Sequence, residues 1–433
     1  MNHVKHCHSA VSMRRALVVT SAAVAALALS ACTMSGPAPT VEVESLPVDA
    51  RSQYYGQFKN PLPDDASFFP LAVWHESLTD PFLAEKDKSF GINTYVELTP
   101  DSVPQMARDA GMYVLGSTPD GALNGFVLPD EVDMWGKSGH GVWTGAWPGE
   151  APICEPEESR CGYTVMEKSL LKSPEGLVVY ANFGKGVTFW EPDTVGTYFV
   201  NEYADIVSAD NYWFTDPNIC SKYEGGTKLD EPRDLTPSEC RLAANYGWTV
   251  ERMRGFVQPA GAKPVWGLVE LGMPFAETTQ PIKPEEIRAA VWHSIIAGAR
   301  GIVYFNHSFA GSCASQHVLR DCGEELSGSV TKINQEVRGM ANVINAPLVK
   351  DSMLSVHGTI RSTVRKLDDA MVVIAGSARL GAQEAEFRLA CEITGEIEVV
   401  GEDRTVKAQG NVFSDRFEDG NAVHIYRIPT GSC

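Results

Sequence analysis

The sequence has few basic residues for its size and lacks several common motifs of metal, nucleotide and nucleophile sites. Lys and Arg number 36 against 55 Asp and Glu, for a net charge of −19. A surface of this sign repels nucleic acid and anionic lipid, so neither is expected as a direct partner. The sequence contains no CxxC, no HExxH, no G-x-S-x-G and no Gly-rich phosphate turn after its first strand-like run. We therefore expect no metal, no cofactor and no esterase-type serine nucleophile.

The apolar run at residues 16–29 is too short to span a membrane as a helix. It follows Arg14 and Arg15 and precedes Leu29-Ser30-Ala31-Cys32, which is the order of charged, apolar and small residues in a secretory signal. The last four residues resemble a bacterial lipobox, and ordinary signal cleavage nearby is the alternative. The resemblance implies that residues 1–31 are removed, that Cys32 is lipidated, and that the protein is exported and anchored to the outer face of the cell membrane. Residues 32–63, rich in Pro, Ser, Thr and Val, are predicted to be a flexible tether.

Eight of the ten cysteines remain when Cys7 and Cys32 are set aside. An even number in an exported protein indicates disulfides, although eight cysteines allow 105 pairings. Their spacing favours pairing in sequential order, because short loops close easily. The predicted disulfides are Cys154–Cys161, Cys220–Cys240, Cys313–Cys322 and Cys391–Cys433.

From about residue 64 the chain alternates short apolar runs with amphipathic segments. Alternating strands and helices form parallel βαβ units, and eight strands suggest a closed (β/α)₈ barrel over residues 64–347. An open doubly wound sheet is the alternative. The eight strand-like runs are residues 68–77, 91–100, 111–119, 123–131, 177–187, 204–213, 263–272 and 301–309.

The pattern changes near residue 348, where short runs alternate polar and apolar residues between Gly and Asp turns. This period of two predicts an antiparallel β-sandwich over residues 348–433. The segment shows no catalytic constellation. We interpret it as an accessory domain that packs on the barrel or binds sugar.

Carboxylates stand where two of the predicted barrel strands end. Glu131 ends the fourth run in LNGFVLPDE, and Glu270 ends the seventh in KPVWGLVELG. Chemistry in such barrels takes place where the strands end, and strands four and seven face each other across the mouth. Two carboxylates are the minimum equipment for cleaving a glycosidic bond, and a retaining enzyme holds them about 5–5.5 Å apart. A solvated acidic loop is the alternative reading of Glu131.

Other polar or aromatic side chains follow the strands and could contact a hydroxyl-rich ligand. Asp210 and Tyr212 could orient and tune the nucleophile, and Asp130 with Asp210 is the next carboxylate pair if the glutamates are structural. Trp143, Trp147 and Trp190 lie in or near long inserts after strand ends, where indoles can stack on sugar rings. The predicted substrate-binding residues are Asp130, Asp210, Tyr212, His75, Glu97, Asn182, Trp190, Asn306 and His307.

Taken together, these segments resemble the clan A retaining (β/α)₈ glycoside hydrolases. GFVLPDEVDMW, ADIVSADNYW, KPVWGLVELG and the run ending GIVYFNHSF look most like a group of bacterial glycoside hydrolases with an Asp-Glu-Pro-like motif after strand four. The likeness covers residues 68–347. It implies Glu131 as acid/base and Glu270 as nucleophile. Val132 stands where that group has Pro, and Asp130 stands where many clan members have Asn.

Three functions compete at this point. The first is a retaining glycosidase acting on a polysaccharide or oligosaccharide. The second is a carbohydrate-binding lipoprotein on a barrel without turnover, and the third is another hydrolase on the same fold. The sequence does not specify the sugar, the linkage or the oligomeric state.

Overall fold

The computed structural model describes residues 45–50, 53–134, 161–275, 277, 280–350, 354–368, 370–393 and 395–429. Eight parallel strands form the sheet that follows a short first strand β1 (Ser45–Leu46). They are β2 (Leu71–Glu76), β3 (Thr94–Leu98), β4 (Tyr113–Gly116), β5 (Gly125–Val127), β6 (Val178–Phe183), β7 (Ile206–Ala209), β8 (Gly267–Glu270) and β9 (Ile302–Phe305).

The sheet runs in the order β7-β6-β5-β4-β3-β2-β9-β8. It closes where Val207 of β7 bridges Val265, just before β8, in parallel. All eight predicted strands therefore form, and the (β/α)₈ barrel is confirmed. Their apolar runs are continuous because one side of each strand fills the barrel and the other packs under helices. Trp74, Tyr180 and Trp266 are among the residues that fill the interior.

Helices follow seven of the eight strands, and the connection from β4 to β5 at residues 117–124 contains none. Within the described residues, no helix is both long and apolar enough to cross a membrane. The helices are α1 (Pro81–Ser89), α2 (Pro104–Asp109), α3 (Cys161–Leu170), α4 (Asp193–Glu202), α5 (Pro237–Cys240), α6 (Ala244–Phe256), α7 (Pro284–Ile296), α8 (Val318–Asp321), α9 (Glu324–Gly339) and α10 (Ala341–Ile344).

Two antiparallel sheets follow the barrel and form the predicted sandwich. One has the order β1-β10-β12-β13-β18-β15-β16 and the other β11-β14-β17. Between them lies an apolar core in which Phe387 and Phe413 stack at 4.8 Å. These strands are β10 (Leu348–Val349), β11 (Leu354–His357), β12 (Ile360–Lys366), β13 (Ala370–Ser377), β14 (Gln383–Leu389), β15 (Ile397–Val399), β16 (Arg404–Val406), β17 (Val412–Phe417) and β18 (Val423–Pro429).

The described part of the predicted tether is folded rather than flexible. Leu46 of β1 pairs with Leu348 of β10. Tyr55 and Leu62 are buried with the residues that fill the barrel, and the Tyr55 hydroxyl accepts a hydrogen bond from Trp266 Nε1 at 3.3 Å. The prediction is wrong for residues 45–50 and 53–63, because these aromatic and apolar side chains close the lower end of the barrel.

Two of the four predicted disulfides, Cys220–Cys240 and Cys313–Cys322, are present, with Cα atoms 5.4 and 5.6 Å apart. Cys391 is also disulfide-bonded, and Cys433, its predicted partner, lies outside the described residues. The predicted Cys154–Cys161 pair rests on Cys154, which lies outside them as well. The signal segment and Cys32 are likewise not described.

Candidate active site

Three strand ends at the barrel mouth hold a non-glycine residue in the left-handed region. The φ angles are +52° at His75, +57° at Glu97 and +49° at Glu131. Side chains other than Gly rarely adopt this region, and such strain of about 1–3 kcal/mol per residue is concentrated at functional sites. His75 and Glu97 are the second-last residues of β2 and β3, and Glu131 lies just after β5. The three side chains are therefore candidates for function on backbone grounds as well as by position.

Glu131 and Asp210 form a hydrogen-bonded pair of carboxyl groups. Asp210 follows β7 and is 4 % exposed, whereas Glu131 is partly exposed. Burial first, and then the charges of Asp210 and Asp130, raise the pKa of Glu131 well above its usual range. Burial and the charge of Asp130 also raise the pKa of Asp210, but hydrogen bonds from Glu131 and Tyr212 act in the opposite direction. Glu131 therefore carries the proton and donates the hydrogen bond, and Asp210 accepts that bond.

Tyr212 supports this pair from the loop after β7. Its hydroxyl donates to Asp210 Oδ2 at 2.9 Å. Its ring packs edge-on against Phe305 at 5.1 Å and Phe275 at 5.3 Å, which fixes the direction of the hydroxyl. Asp210 and Tyr212 were predicted to orient and tune the nucleophile Glu270, but the carboxyl group beside them is Glu131.

A polar chain through the barrel interior ends at Asp130. The Tyr180 hydroxyl and Ser208 Oγ are 2.5 Å apart, and Ser208 donates to Asn182 Oδ1 at 2.6 Å. Asn182 Nδ2 in turn donates to Asp130 Oδ1 at 3.0 Å. Burial raises the pKa of Asp130 to about 7 despite this bond. Asn182 is 1 % exposed, so it orients Asp130 and is not a surface contact for a ligand.

Asp133 fixes the turn that carries Glu131. It lies in a 3₁₀ turn (Val132–Met134), is fully buried, and accepts backbone hydrogen bonds from Gly184 at 2.9 Å and Val187 at 2.7 Å. These bonds join the turn after β5 to the π-helical turn Gly186–Trp190 after β6. A Cβ on Gly184 would lie 2.8 Å from Glu131 Oε1. The Glu131 carboxyl group thus packs directly against the backbone of Gly184.

If Glu131 is a catalytic group, Gly184→Ala is expected to reduce turnover at least about 10-fold, because small misplacements of such a group are costly. The added methyl would also meet Met134 Cε and Sδ at 2.9 Å, at a stability cost of about 1–3 kcal/mol. Gly255→Ala is the matched control, since Gly255 lies in α6 with open space around its Cβ position. That variant should keep full activity and gain up to about 1 kcal/mol. Equal activity in the two variants would show that Gly184 does not set the position of Glu131.

Glu270 occupies a separate, closed environment. It is fully buried and accepts hydrogen bonds from Phe214 N at 2.8 Å and from the hydroxyls of Thr215 and Tyr246. Burial raises the pKa of Glu270 to about 7 even though these bonds oppose the shift. The structure thus pairs Glu131 with Asp210, and it surrounds Glu270 with donors from the loop after β7 and from α6.

The raised pKa of Glu270 predicts a loss of stability with rising pH. Its folded pKa of about 7 exceeds the ordinary 4.5, so between these values the folded chain binds more protons than the unfolded chain. The contribution of Glu270 to the free energy of unfolding is complete below pH 4.5. It falls by roughly 3 kcal/mol as the pH rises through 7. Urea unfolding at pH 5 and pH 8 should show this loss, and Glu270→Gln should reduce it. An unchanged slope in that variant would contradict the assignment, and the exposed control Glu418→Gln should match the wild type.

Several predicted ligand residues are instead part of the fold. Asn306 is fully buried, donates to Glu76 Oε2 at 2.6 Å and accepts from Leu319 N at 2.9 Å. His307 is 7 % exposed and packs against the Phe305 ring at 4.8 Å. Trp190 is 6 % exposed within the main core, so the prediction of an exposed stacking indole is wrong there. Trp143 and Trp147 lie outside the described residues.

A cavity of about 620 Å³ lies at the ends of β2 to β5, and Glu131 and Asp210 are not among the residues that border it. His75, Glu97 and Asp130 border it, together with Trp74. Glu97 accepts hydrogen bonds from the backbone and the hydroxyl of Ser117, at 2.8 and 2.9 Å. Concave sites of 300–1,000 Å³ hold small ligands or a few residues of a polymer. The predicted residues His75, Glu97 and Asp130 are thus brought together at one opening.

Sequence reasoning missed the residues that position this site. Asp133 lies within the motif GFVLPDEVDMW but had no predicted role, and its signal was a third acid within four residues. Thr215 and Tyr246 enclose Glu270 but gave no signal in the sequence. Neither their spacing nor their residue type suggested contact with the end of β8. Within the described residues, no group of three or more His, Cys, Asp or Glu side chains is arranged to hold a metal ion.

No family model matches the sequence, and no curated protein matches it. Solved structures with a similar fold include a maltogenic α-amylase from Thermotoga neapolitana, with 10% identity, 84% of this chain and 99% of that chain covered, and a TM-score of 0.50. A family 5 glycoside hydrolase from Bacteroides vulgatus has 12% identity, coverage of 87% and 91%, and a TM-score of 0.49. A family 39 glycoside hydrolase from Bacteroides cellulosilyticus has 9% identity, coverage of 84% and 82%, and a TM-score of 0.45. At these identities the likeness is one of fold.

Proposed function

We propose that this protein hydrolyses O-glycosidic bonds of a polysaccharide or oligosaccharide, with Glu131 as the proton donor. The observation that carries the proposal is the Glu131–Asp210 carboxyl pair at the carboxyl ends of the barrel strands, next to Asp130, which borders the cavity. Glycoside hydrolysis needs one protonated and one ionised carboxyl group near each other. The fold shared with known glycosidases and the sequence resemblance agree with this chemistry, while the chemistry itself is argued from the site.

In this proposal Asp210 is the second carboxylate. Glu131 protonates the leaving oxygen while Asp210 attacks the anomeric carbon, and Glu131 then removes a proton from the water that releases the sugar. The two groups hydrogen bond, so they are closer than the 5–5.5 Å of retaining enzymes as well as the 6.5–9.5 Å of inverting enzymes, and the retaining spacing is the nearer of the two. An entering sugar must replace that hydrogen bond and separate the two groups.

Glu270 has a different role in the proposal from the one its sequence position predicts. It has no exposed surface, and Phe214, Thr215 and Tyr246 already donate to its oxygens. A nucleophile must reach the anomeric carbon. We therefore assign Glu270 to positioning residues 214 and 215, which continue the loop that carries Asp210 and Tyr212.

The proposal is tested by incubating the purified protein with a panel of neutral, amino and acidic polysaccharides and following reducing ends. Hydrolysis of at least one glycan by the wild type and its loss in Glu131→Gln are expected. NMR of the first product should show the anomer of the substrate. Binding without turnover in the wild type would support the alternative, a carbohydrate-binding protein on a barrel scaffold.

Export and lipid anchoring belong to the same proposal. They are supported by the Leu29-Ser30-Ala31-Cys32 motif and by the disulfides Cys220–Cys240 and Cys313–Cys322, which are typical of oxidising compartments. Cys32→Ala should remove the protein from the membrane fraction or stop its maturation. Metabolic labelling with a fatty acid and fractionation measure both effects. Normal anchoring and processing of the variant would contradict lipidation at Cys32.

A further inference from the structure

Lys185 joins the turn after β6 to the loop after β7. It immediately precedes the π-helical turn Gly186–Trp190, and its Nζ forms ion pairs with Asp216 and, at 2.8 Å, with Glu224. The side chain of Lys185 is 16 % exposed, and those of Asp216 and Glu224 are 1 % and 10 % exposed. Ion pairs with so little access to water are screened far less than pairs on the surface. The two pairs therefore hold the loop after β7 against the turn after β6.

The segment that carries Lys185 supports both carboxyl groups of the proposed catalytic pair. The backbone N of Glu131 donates to Asn182 O at 3.2 Å, and the backbone N of Asp210 donates to Phe183 O at 3.0 Å. The end of β6 thus lies between the turn that carries one carboxyl group and the strand end that carries the other. Lys185 lies two residues beyond Phe183, so its side chain extends from the support that both groups share.

The loop after β7 reaches Asp210 through Tyr212. The backbone N of Asp216 donates to Tyr212 O at 3.0 Å, and the Tyr212 hydroxyl donates to Asp210 Oδ2 at 2.9 Å. From the side of β8 the same loop is held by Glu270, which accepts a hydrogen bond from Phe214 N at 2.8 Å. The ion pair with Asp216 holds it from the side of β6. A change in that ion pair is therefore transmitted to the Asp210 carboxylate through two hydrogen bonds.

We propose that Lys185 is a positioning residue, which sets the separation of Glu131 and Asp210 by holding the loop after β7 against the turn after β6. The inference rests on the proposed function, in which Glu131 protonates the leaving oxygen and Asp210 attacks the anomeric carbon. The orientation of such groups supplies much of the rate, and a displacement of about 1 Å can cost about 10²-fold. Without the ion pairs the loop and Tyr212 shift, so the hydrogen bond between the two carboxyl groups weakens.

NMR titration of Glu131, in full-length protein labelled with ¹³C at the glutamate side-chain carboxyl carbons, tests this placement without any substrate. The Glu131 signal is the one that Glu131→Gln lacks. Lys185→Met should lower the pKa of Glu131 by about one pH unit, because the charge of Asp210 is, after burial, the main cause that raises it. On a glycan that the wild type hydrolyses, the same variant should lower kcat about 10-fold or more and leave KM within about 3-fold. The basic limb of its pH profile should move to lower pH.

Lys222→Met is the matched control and should behave as the wild type. Lys222 is exposed on the same loop, with its Nζ 5.0 Å from the centre of the Tyr223 ring. Lys185→Arg keeps a positive charge with donors for both carboxylates, so it should restore the titration of Glu131 and kcat. If Lys185→Met does not fold, Glu224→Gln takes its place, because it removes one of the two ion pairs and should give smaller shifts in the same direction.

An unchanged titration of Glu131 in the folded variant overturns the proposal. An equal loss of kcat in Lys185→Arg and Lys185→Met also overturns it, because a restored charge should restore the position of the loop. A lowered pKa of Glu131 in Lys185→Met, with turnover that does not depend on Glu131, would support the positioning role and refute the proposed function.

Discussion

Glu131→Gln is expected to lower kcat/KM on a natural glycan by about 10²–10⁴-fold, because it removes the proton donor and keeps the shape of the side chain. The loss should be smaller on an aryl glycoside with a good leaving group, which needs little protonation. Azide should partly restore the rate on that substrate by attacking the stranded glycosyl intermediate. Initial rates on both substrates, with and without azide, measure these effects.

The companion variants separate the two possible second carboxylates. Asp210→Asn should lose at least as much activity as Glu131→Gln and should not respond to leaving-group quality, because the nucleophile is gone. Glu270→Gln should keep turnover within about 10-fold, since it alters only the support of residues 214 and 215. If Glu270→Gln is inactive while folded and Asp210→Asn is active, Glu270 is the nucleophile, as its sequence position predicts.

The pair also determines the expected pH profile. Activity requires ionised Asp210, so it falls at low pH, and it requires protonated Glu131, so it falls at high pH. Both limbs should lie above the usual carboxyl range, because burial and the charge of Asp130 raise the pKa of both groups. Glu131→Gln should retain the acidic limb and lose the basic one. A basic limb unchanged in that variant would assign it to another group.

The barrel was predictable because its strands carry their own signal. Residues of β2, β6 and β9 are buried on both faces, and continuous apolar runs such as Ile302–Phe305 report this directly. Their carboxyl ends must meet at one mouth in any such barrel, so the grouping of Asp130, Glu131 and Asp210 followed from the fold. The disulfides Cys220–Cys240 and Cys313–Cys322 followed from short loop spacing.

The partner of each carboxyl group was not predictable, because it depends on loops. Whether Glu131 bonds with Asp210 or faces Glu270 is decided by the left-handed turn at Glu131 and by Asp133 holding Gly184. Glu270 is enclosed because α6 brings the Tyr246 hydroxyl to it, a contact between residues with no shared pattern. The prediction of a flexible tether was wrong for a similar reason. Tyr55 and Leu62 stand in a stretch whose composition is loop-like, yet a few aromatic side chains were enough to close the barrel.

The largest stability effect is expected from Arg320, which neutralises two buried carboxylates at the junction of the first and last barrel strands. Its Nη1 lies 2.9 Å from Glu76 Oε1, and its Nε and Nη2 lie 2.9 and 2.5 Å from the two oxygens of Asp87. All three side chains are at most 4 % exposed. Glu76 ends β2, Asp87 lies in α1, and Arg320 belongs to α8. The two ion pairs of Arg320 therefore join elements that are far apart in the chain.

Arg320→Leu is expected to cost about 3–5 kcal/mol of unfolding free energy at pH 7, the usual effect of removing one partner of a buried ion pair. Arg416→Leu is the matched control, because Arg416 pairs with Glu418 on the surface at 55 % exposure, where such pairs contribute about 0–1 kcal/mol. The deficit of Arg320→Leu should shrink on acidification. Burial already raises the pKa of Asp87, and Arg320 opposes that rise, so loss of the guanidinium raises this pKa further and the folded variant takes up a proton as the pH falls. Urea unfolding at pH 5 and pH 7 measures both effects. Asn306 and His317 also contact Glu76, and the Tyr95 hydroxyl donates to Asp87 at 2.8 Å. A deficit no larger than that of Arg416→Leu would mean that these three residues alone compensate the two carboxylates.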